Sequence, residues 1–248
     1  LFTSAVMVPF KDKYLGLCLE EGLRAASCQK CFRTGDLEHI GYTRRHNTLF
    51  EMLGNFSFGD YFKAETLAWG WEFLTKVAGL DAKRLHPTVH TTDDEADGLW
   101  RKILGDPSKK IVRLADNWWG PVSPDGGPCG PDSEVYWDHG ADRGCGRPSC
   151  TPGCDCGRFE EVWNHVFQQF NRDASGKDRP LERPGIDTGM GLDRLASIVQ
   201  GVDSNYDSQE WARFKSGVKL VLGPSENQAP YHVVCDRVRA AVFLLAEG

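Results

Sequence analysis

The period of the apolar residues changes repeatedly along the chain, and the order of those changes limits the fold more than any other feature. Residues 26–34 and 48–57 are short apolar runs separated by a polar, Gly-containing segment, which predicts two strands and a long loop. From Asp60 the period becomes helical. Leu67, Trp71, Leu74 and Ala78 recur at spacings of four, three and four, with Asp60 placed to cap and Gly79 placed to stop. Residues 85–90 read as a strand, 93–104 as a helix opening on acidic residues, and 110–115 as another strand. Residues 117–156, rich in Gly, Pro and Cys, read as a long functional loop. Residues 159–170 fit a helix by spacing and a strand by aromatic and β-branched content, and periodicity leaves both open. Residues 186–191 lead into a helical stripe of Leu192, Leu195, Ile198 and Val199 stopped by Gly201, and residues 233–246 form a last helix. Strands broken by helices without βαβ alternation predict an α+β domain around a mostly antiparallel sheet.

Composition removes several function classes. The chain has 248 residues, 40% hydrophobic and 26% charged, which excludes intrinsic disorder. Its longest apolar run, 240–246, is far short of the roughly 18 residues of a membrane span. Nine cysteines, an odd number at low density, predict a reducing, cytoplasmic setting. The net charge of −6 argues against a protein that coats nucleic acid. Residues 1–63 nevertheless hold eight Lys/Arg against seven Asp/Glu, so phosphate chemistry is expected in that first quarter. The chain opens on Leu-Phe-Thr without Met or leader, and we expect a piece of a longer protein, truncated at both ends.

Four constellations are too specific for packing alone. They are Cys31-Phe32-Arg33-Thr34-Gly35 followed by Arg44 through Phe62, Gly127 through Glu134, Glu161-Val162-Trp163-Asn164, and Ile186-Asp187-Thr188-Gly189-Met190-Gly191-Leu192-Asp193-Arg194. In this order they resemble the catalytic domain of the alanyl-tRNA synthetases, which are class II aminoacyl-tRNA synthetases. The resemblance runs over 1–248, with 140–157 as a Cys-rich insertion loop and 208–248 as the start of a tRNA-recognition region. It implies a class II synthetase-like antiparallel β-sheet flanked by helices, with residues 163–170 as one of its strands.

By the same resemblance, alanine is activated by ATP with Mg²⁺ to alanyl-adenylate and passed to tRNA(Ala) in the full-length protein. The motifs do not indicate which residues hold Mg²⁺. Attack of a carboxylate on the α-phosphorus needs positioned positive charge rather than a covalent nucleophile, and the arginine fork suits it. The resemblance makes Arg33 and Arg194 the catalytic arginines, with Arg33 bridging the α-phosphate and the alanine carboxylate. Arg45 would reach the outer phosphates and Phe50 would stack on adenine, while Met52 and Gly191 complete the ATP set. Asp187, Asn164, Trp119 and Gly189 form the alanine set, with Asp187 on the ammonium and Trp119 limiting the side chain to a methyl group. Read without the motifs, each arginine is a surface ion pair, Asp187 is the N-cap of the following helix, and Trp119 is core. A methyl-sized pocket separates alanine from glycine and serine only modestly, so editing elsewhere is expected.

Cys145, Cys150, Cys154 and Cys156 supply enough thiolates for a closed zinc site, although an i, i+2 ligand pair strains the usual geometry; four reduced loop thiols are the alternative. Cys28 and Cys31 read as buried small hydrophobes. The chain departs from the resembled pattern at Val6, Asn47 and Asp193, where Gly, His and Glu are usual. Val6 is expected to crowd the alanine site and Asn47 to weaken triphosphate handling. Residues 208–229 match the pattern poorly. A non-catalytic RNA-binding or regulatory relative, or a zinc-dependent binding module, would share the fold; joint retention of Arg33, Asn164, Asp187 and Arg194 argues against the first, and the second would lose ligand binding on chelation without ever forming an adenylate.

Overall fold

The computed structural model describes residues 2–18, 22–35 and 37–247, so Leu1 and Gly248, at the ends of the motif resemblance, lie outside it. In chain order the elements are a helical turn α1 (Lys11–Tyr14), β1 (Arg24–Phe32), β2 (Leu49–Ser57), α2 (Lys63–Glu72), β3 (Leu85–His90), α3 (Asp94–Leu104) and β4 (Val112–Leu114). There follow β5 (Trp118–Trp119), β6 (Gly126–Asp138), β7 (Phe159–Asp173), β8 (Asp178–Gly191), α4 (Leu192–Gln200), α5 (Gln209–Leu222) and α6 (Ala229–Glu247). The eight strands are ordered β1-β2-β8-β7-β6-β3-β4, with β5 on β6. The pairs β3–β6, β5–β6, β6–β7 and β7–β8 are antiparallel. Only β3–β4 among the registers described is parallel, so the sheet is mostly antiparallel, as expected, with one parallel pair. The chain divides into two compact units, one of Val6–Ser27 and Leu53–Met190, the other of Leu1–Ala5, Cys28–Met52 and Gly191–Gly248.

In the first of these units the faces of the sheet are separated by the alternation along β7. Trp163, His165 and Phe167 are buried on one face, and α2 covers it: Thr66 Oγ1 lies 3.2 Å from His165 Nδ1, and Phe62 meets Phe167 edge-on at 6.1 Å. A Cβ at Gly70, one turn after Thr66, would stand 2.5 Å from His165 Cε1, so the glycine is what lets helix and ring close. Burial holds the His165 imidazole neutral, its pKa pushed down to about 3. The N-termini of α2 and α3 are joined by an ion pair that is itself buried: Lys63 Nζ meets both Asp93 oxygens at 2.8 Å, and Asp93 also caps α3 by accepting from Ala96 N at 3.0 Å. Further along α3, Trp100 Nε1 donates to Ser133 Oγ on β6 at 2.7 Å, which donates in turn to Thr88 O on β3.

Most of the expected elements are present, and the differences have local causes. The long-loop reading of 117–156 fails for β6, a strand of 13 residues. Its Gly and Pro residues mark a bulge rather than an end: the register shifts between Cys129 and Asp132, where a Cβ at Gly130 would lie 1.9 Å from Phe167 O. The ambiguous 159–170 run is strand β7. Asp60 does not cap α2, which starts at Lys63 after Phe62; its carboxylate pairs with Arg24 instead. Cys28 is exposed, beside Glu51, while Cys31 is buried as expected.

The second unit has its own core of Tyr206, Trp211, Val218, Tyr231 and Cys235, which packs α5 and α6 together. No helix among the described residues is long and apolar enough to cross a membrane. Two substitutions test the packing. Gly70→Ala is expected to lower unfolding stability by roughly 1–3 kcal/mol in urea titrations, because overpacking against a buried ring outweighs the gain in helix propensity. Asp93→Ala is expected to cost roughly 1–3 kcal/mol in the same titration, because it removes the α3 cap and leaves the buried Lys63 ammonium with Glu95 alone, 3.1 Å away.

Candidate functional site

The two sets of residues picked out by the motifs fall one in each unit. In the unit built around the Tyr206 core, Arg33 follows β1, and its backbone N–H bonds Thr48 O at the start of β2. Arg33 Nε donates to Ser4 O at 2.8 Å, and the guanidinium lies 5.3 Å over the ring of Phe50. That contact fixes the fork by its shaft and face while its two terminal nitrogens take no hydrogen bond among the described residues. Phe50 and Met52, two apart on β2, share one face and are half-buried. Gly191 is the N-cap of α4 and Arg194 lies in its first turn. A Cβ at Gly191 would meet only Arg194, at 3.6 Å or more, so packing within the chain does not require glycine there.

The loop carrying Arg45 is held from behind by residues after α4. Asn205 N and Ser204 Oγ donate to Arg44 O, while Asn205 Nδ2 donates to Arg45 O at 3.1 Å and to Asn47 Oδ1 at 2.9 Å. Asn47 is therefore a buried partner of Asn205 rather than a group aimed outward, which explains its place in a position where a second histidine was expected. Asp236 on α6, 1% exposed, accepts from Thr48 N at 2.7 Å and from the Thr48 hydroxyl. Asp193 accepts from Trp211 Nε1 at 2.9 Å and Arg239 Nη1 at 3.2 Å, so the shorter acid ties α4 to α5 and α6.

In the other unit the face of the sheet opposite α2 carries the alanine set. Asn164 pairs with Gly189 and Val166 with Asp187 across β7–β8, and Glu134 and Asp132 on β6 complete the same two rows. Asn164 Nδ2 contacts Glu134 Oε1 at 3.2 Å and Asp132 Oδ2 at 3.4 Å, and Asn117 Nδ2 donates to Asp132 Oδ1 at 2.7 Å. Burial raises the Asp187 carboxyl to about 7; the Gln168 amide opposes that shift and the charge of Asp132 adds to it. Burial likewise raises Asp132 to about 7, against its bonds from Asn117 and Asn164, and holds Glu134 well above the carboxylate range. Asp187 sits inside β8 and Gly191 caps α4, so the N-cap reading of Asp187 is excluded. Trp119, on β5, is half-buried opposite Gly130, two residues before Asp132 on β6. Val6, 2% exposed, is packed against Gly54, where an added Cβ would lie 3.0 Å from its Cγ2.

Between β6 and β7, the sulfurs of Cys145, Cys150, Cys154 and Cys156 all lie within 4.8 Å of one another. The Cys145–Cys154 and Cys150–Cys156 separations are 3.9 and 3.5 Å. Four thiolates around a zinc ion at about 2.3 Å would be about 3.8 Å apart, so the donor set fits the ion. The i, i+2 pair, Cys154 and Cys156, closes without breaking the cluster because the 151–154 turn brings Cys154 N onto Thr151 O.

Sequence reasoning missed Asp132, Asn117, Glu134, Asn205 and Asp236. Asp132 and Glu134 lay inside a quoted motif, but the loop reading of 117–156 hid the alternation that puts both on one face. A carboxyl raised by burial keeps a proton in the folded state that the unfolded state has lost between about pH 4 and 7, so it lowers stability as pH rises through that window. Asp187→Asn is accordingly expected to be more stable than wild type at pH 8 by up to about 4 kcal/mol, with the gain fading towards pH 4, as urea titrations at both pH values would read.

The family model for tRNA synthetases class II (A) matches residues 1–248. The alanine–tRNA ligase of Carboxydothermus hydrogenoformans is 46% identical over 255 residues, covering 100% of this chain and 29% of the relative. The alanine–tRNA ligase of Alkaliphilus oremlandii is 48% identical with the same coverage. Thus the chain spans about 29% of the length of these curated relatives. A solved structure of apo S. aureus histidyl-tRNA synthetase aligns at a TM-score of 0.43 and 12% identity, over 86% of this chain and 58% of that one. With the motifs in order, the sheet in place and the family model matching from end to end, the chain belongs to the class II (A) tRNA synthetases.

Proposed function

We propose that this chain activates L-alanine with ATP, forming alanyl-adenylate and pyrophosphate, and that the full-length protein transfers the alanyl group to tRNA(Ala) in the cytoplasm. The observation that carries the reading is the placing of Asn164 and Asp187 in neighbouring rows on the polar face of the sheet, where a buried carboxyl oxygen, Asp187 Oδ1, and the Asn164 carbonyl lack donors. An α-ammonium is the group that such acceptors suit. Arg33 and Arg194 are the catalytic arginines in this reading, with the free fork of Arg33 on the α-phosphate. Arg45 holds the outer phosphates, Phe50 and Met52 the adenine, and Gly191 lets the nucleotide approach the backbone. Trp119 and Gly189 bound the methyl group. ATP brings Mg²⁺ with it, and no residue here is assigned to that ion.

The charge logic is that of positioning. Arginine donors that are already oriented stabilise charge on the transferring phosphorus without reorganising during the step. The carboxylate of alanine is the nucleophile, its oxygen forms the new bond to the α-phosphorus, and pyrophosphate leaves with the bonding pair. Support for this assignment comes from the family, from relatives that are alanine–tRNA ligases, and from the retention of both arginines with both polar alanine contacts. The structure offers nothing that favours the non-catalytic alternative. We also propose that Cys145, Cys150, Cys154 and Cys156 hold Zn²⁺, which would cross-link residues 145–156 and take no part in the chemistry.

Alanine-dependent exchange of labelled pyrophosphate into ATP tests the main reading on the full-length protein. Wild type is expected to exchange only with alanine present, Asp187→Ala to lose that exchange, and Arg33→Ala to fall on the order of a hundredfold or more; wild-type exchange indifferent to alanine would sink the reading. Serine and glycine are expected to support weaker exchange, since one methyl or hydroxyl changes binding by only about 1–3 kcal/mol. For the metal, protein purified under reducing conditions is expected to carry one zinc per chain by elemental analysis, and Cys154→Ala to carry none. An equal zinc content in the variant would remove the assignment.

A further inference from the structure

The two rows on the polar sheet face contain two carboxylates more than the alanine set uses, Asp132 and Glu134. Asp132 on β6, Val166 on β7 and Asp187 on β8 are directly paired, so their side chains stand on the same face, with the valine as an apolar floor between two acids. Asn117 holds Asp132 Oδ1 at 2.7 Å, whereas Oδ2 has only the 3.4 Å approach of Asn164 Nδ2. Asp132 and Asp187 are 2% and 4% exposed, and neither takes an ion pair among the described residues. Two buried acids on one face, separated by the intervening strand and without a cation, form an unfavourable arrangement that a cation bound between them relieves. An alkylammonium carries three N–H donors. The face offers three under-used acceptors for them: Asp187 Oδ1 and Asn164 Oδ1, both buried without a donor, and Asp132 Oδ2.

We infer that Asp132 is a second ammonium-binding carboxylate, which together with Asp187 and Asn164 surrounds the amino group of the amino-acid substrate. The inference rests on the alanine-activation reading and adds to it a residue that the resemblance did not single out. It also carries a proton balance. In the free protein, burial raises both the Asp132 and the Asp187 carboxyl to about 7, so each is partly protonated near neutrality. The other charged groups facing Asp132 are Glu161 and Asp116, with Glu134, bonded by the Tyr136 hydroxyl, beside it on β6. All are acids, so none supplies the missing cation. The incoming ammonium keeps its three protons, the carboxyl proton leaves to solvent, and binding of alanine releases H⁺.

Titration calorimetry of L-alanine into the full-length protein at pH 7, in buffers of different ionisation enthalpy, measures affinity and proton release together. Wild type is expected to release protons on binding. Asp132→Asn keeps the shape and an acceptor for Asn117, and is expected to bind alanine about 10–100-fold more weakly, to release fewer protons, and to leave the KM for ATP unchanged. Wild-type affinity in Asp132→Asn, or no proton release by wild type, would overturn the inference while alanine-dependent exchange by wild type would leave the activation reading standing. Absence of both alanine binding and exchange in wild type would end both. Should Mg²⁺ alone bind wild type and not Asp132→Asn in the same calorimeter, the carboxylate would belong to a cation site and the inference would fall. A purely structural Asp132 would change the melting temperature of the variant without altering proton release.

Discussion

The alternation of side chains along β7 governs what the sheet can do. Each residue that turns towards α2 commits its neighbours to the other face, so His165 buried against Thr66 and Gly70 dictates that Asn164 and Val166 stand among the acids of β6 and β8. A slip of one residue would exchange the two sets, placing an imidazole among carboxylates and an amide against an apolar helix. The register is fixed on the helix side by a glycine that admits the ring, and on the strand side by the bulge at Gly130 that realigns β6 before Asp132. Packing on one face thus does the positioning for chemistry on the other.

Charge is used differently in the two units. Around the sheet, Lys63 and Asp93 are buried together and satisfied, which ties two helix starts to each other. Asp132 and Asp187 are buried and Glu134 half-buried, all without such partners, at a cost visible in their raised protonation. Unpaired burial of this kind marks places where a fold gives up stability for a ligand. In the other unit the arginines are the reverse case. Arg33 is half-buried, bonded through Nε and supported on Phe50, so its charge is oriented with little desolvation.

The helices and most strands were legible because their signals are local. Leu192 to Gly201 carries its stripe and its stop, and Gly201 does take the left-handed conformation at φ 67°. The motif residues were legible through the resemblance, not through periodicity. What sequence could not convey was pairing. Gly126 to Pro131 reads as punctuation until Phe167 is known to lie opposite, and only that register puts Asp132 and Glu134 in line with Asn164. Asn205 and Asp236 are ordinary polar residues in their own segments, and their importance comes from Arg44, Arg45 and Thr48, far away in the chain.

That distance bears on when the loop carrying Arg45 acquires its shape. Residues 44–47 hang on Ser204, Asn205 and Tyr206, some 160 positions later, so their order depends on closing a very long loop. During synthesis from the N-terminus, the arginines emerge long before the asparagine that seats them. The segment of the chain made early is therefore among the last to become competent, and a ribosome-bound fragment ending before Ser204 would hold the sequence of the loop without its conformation.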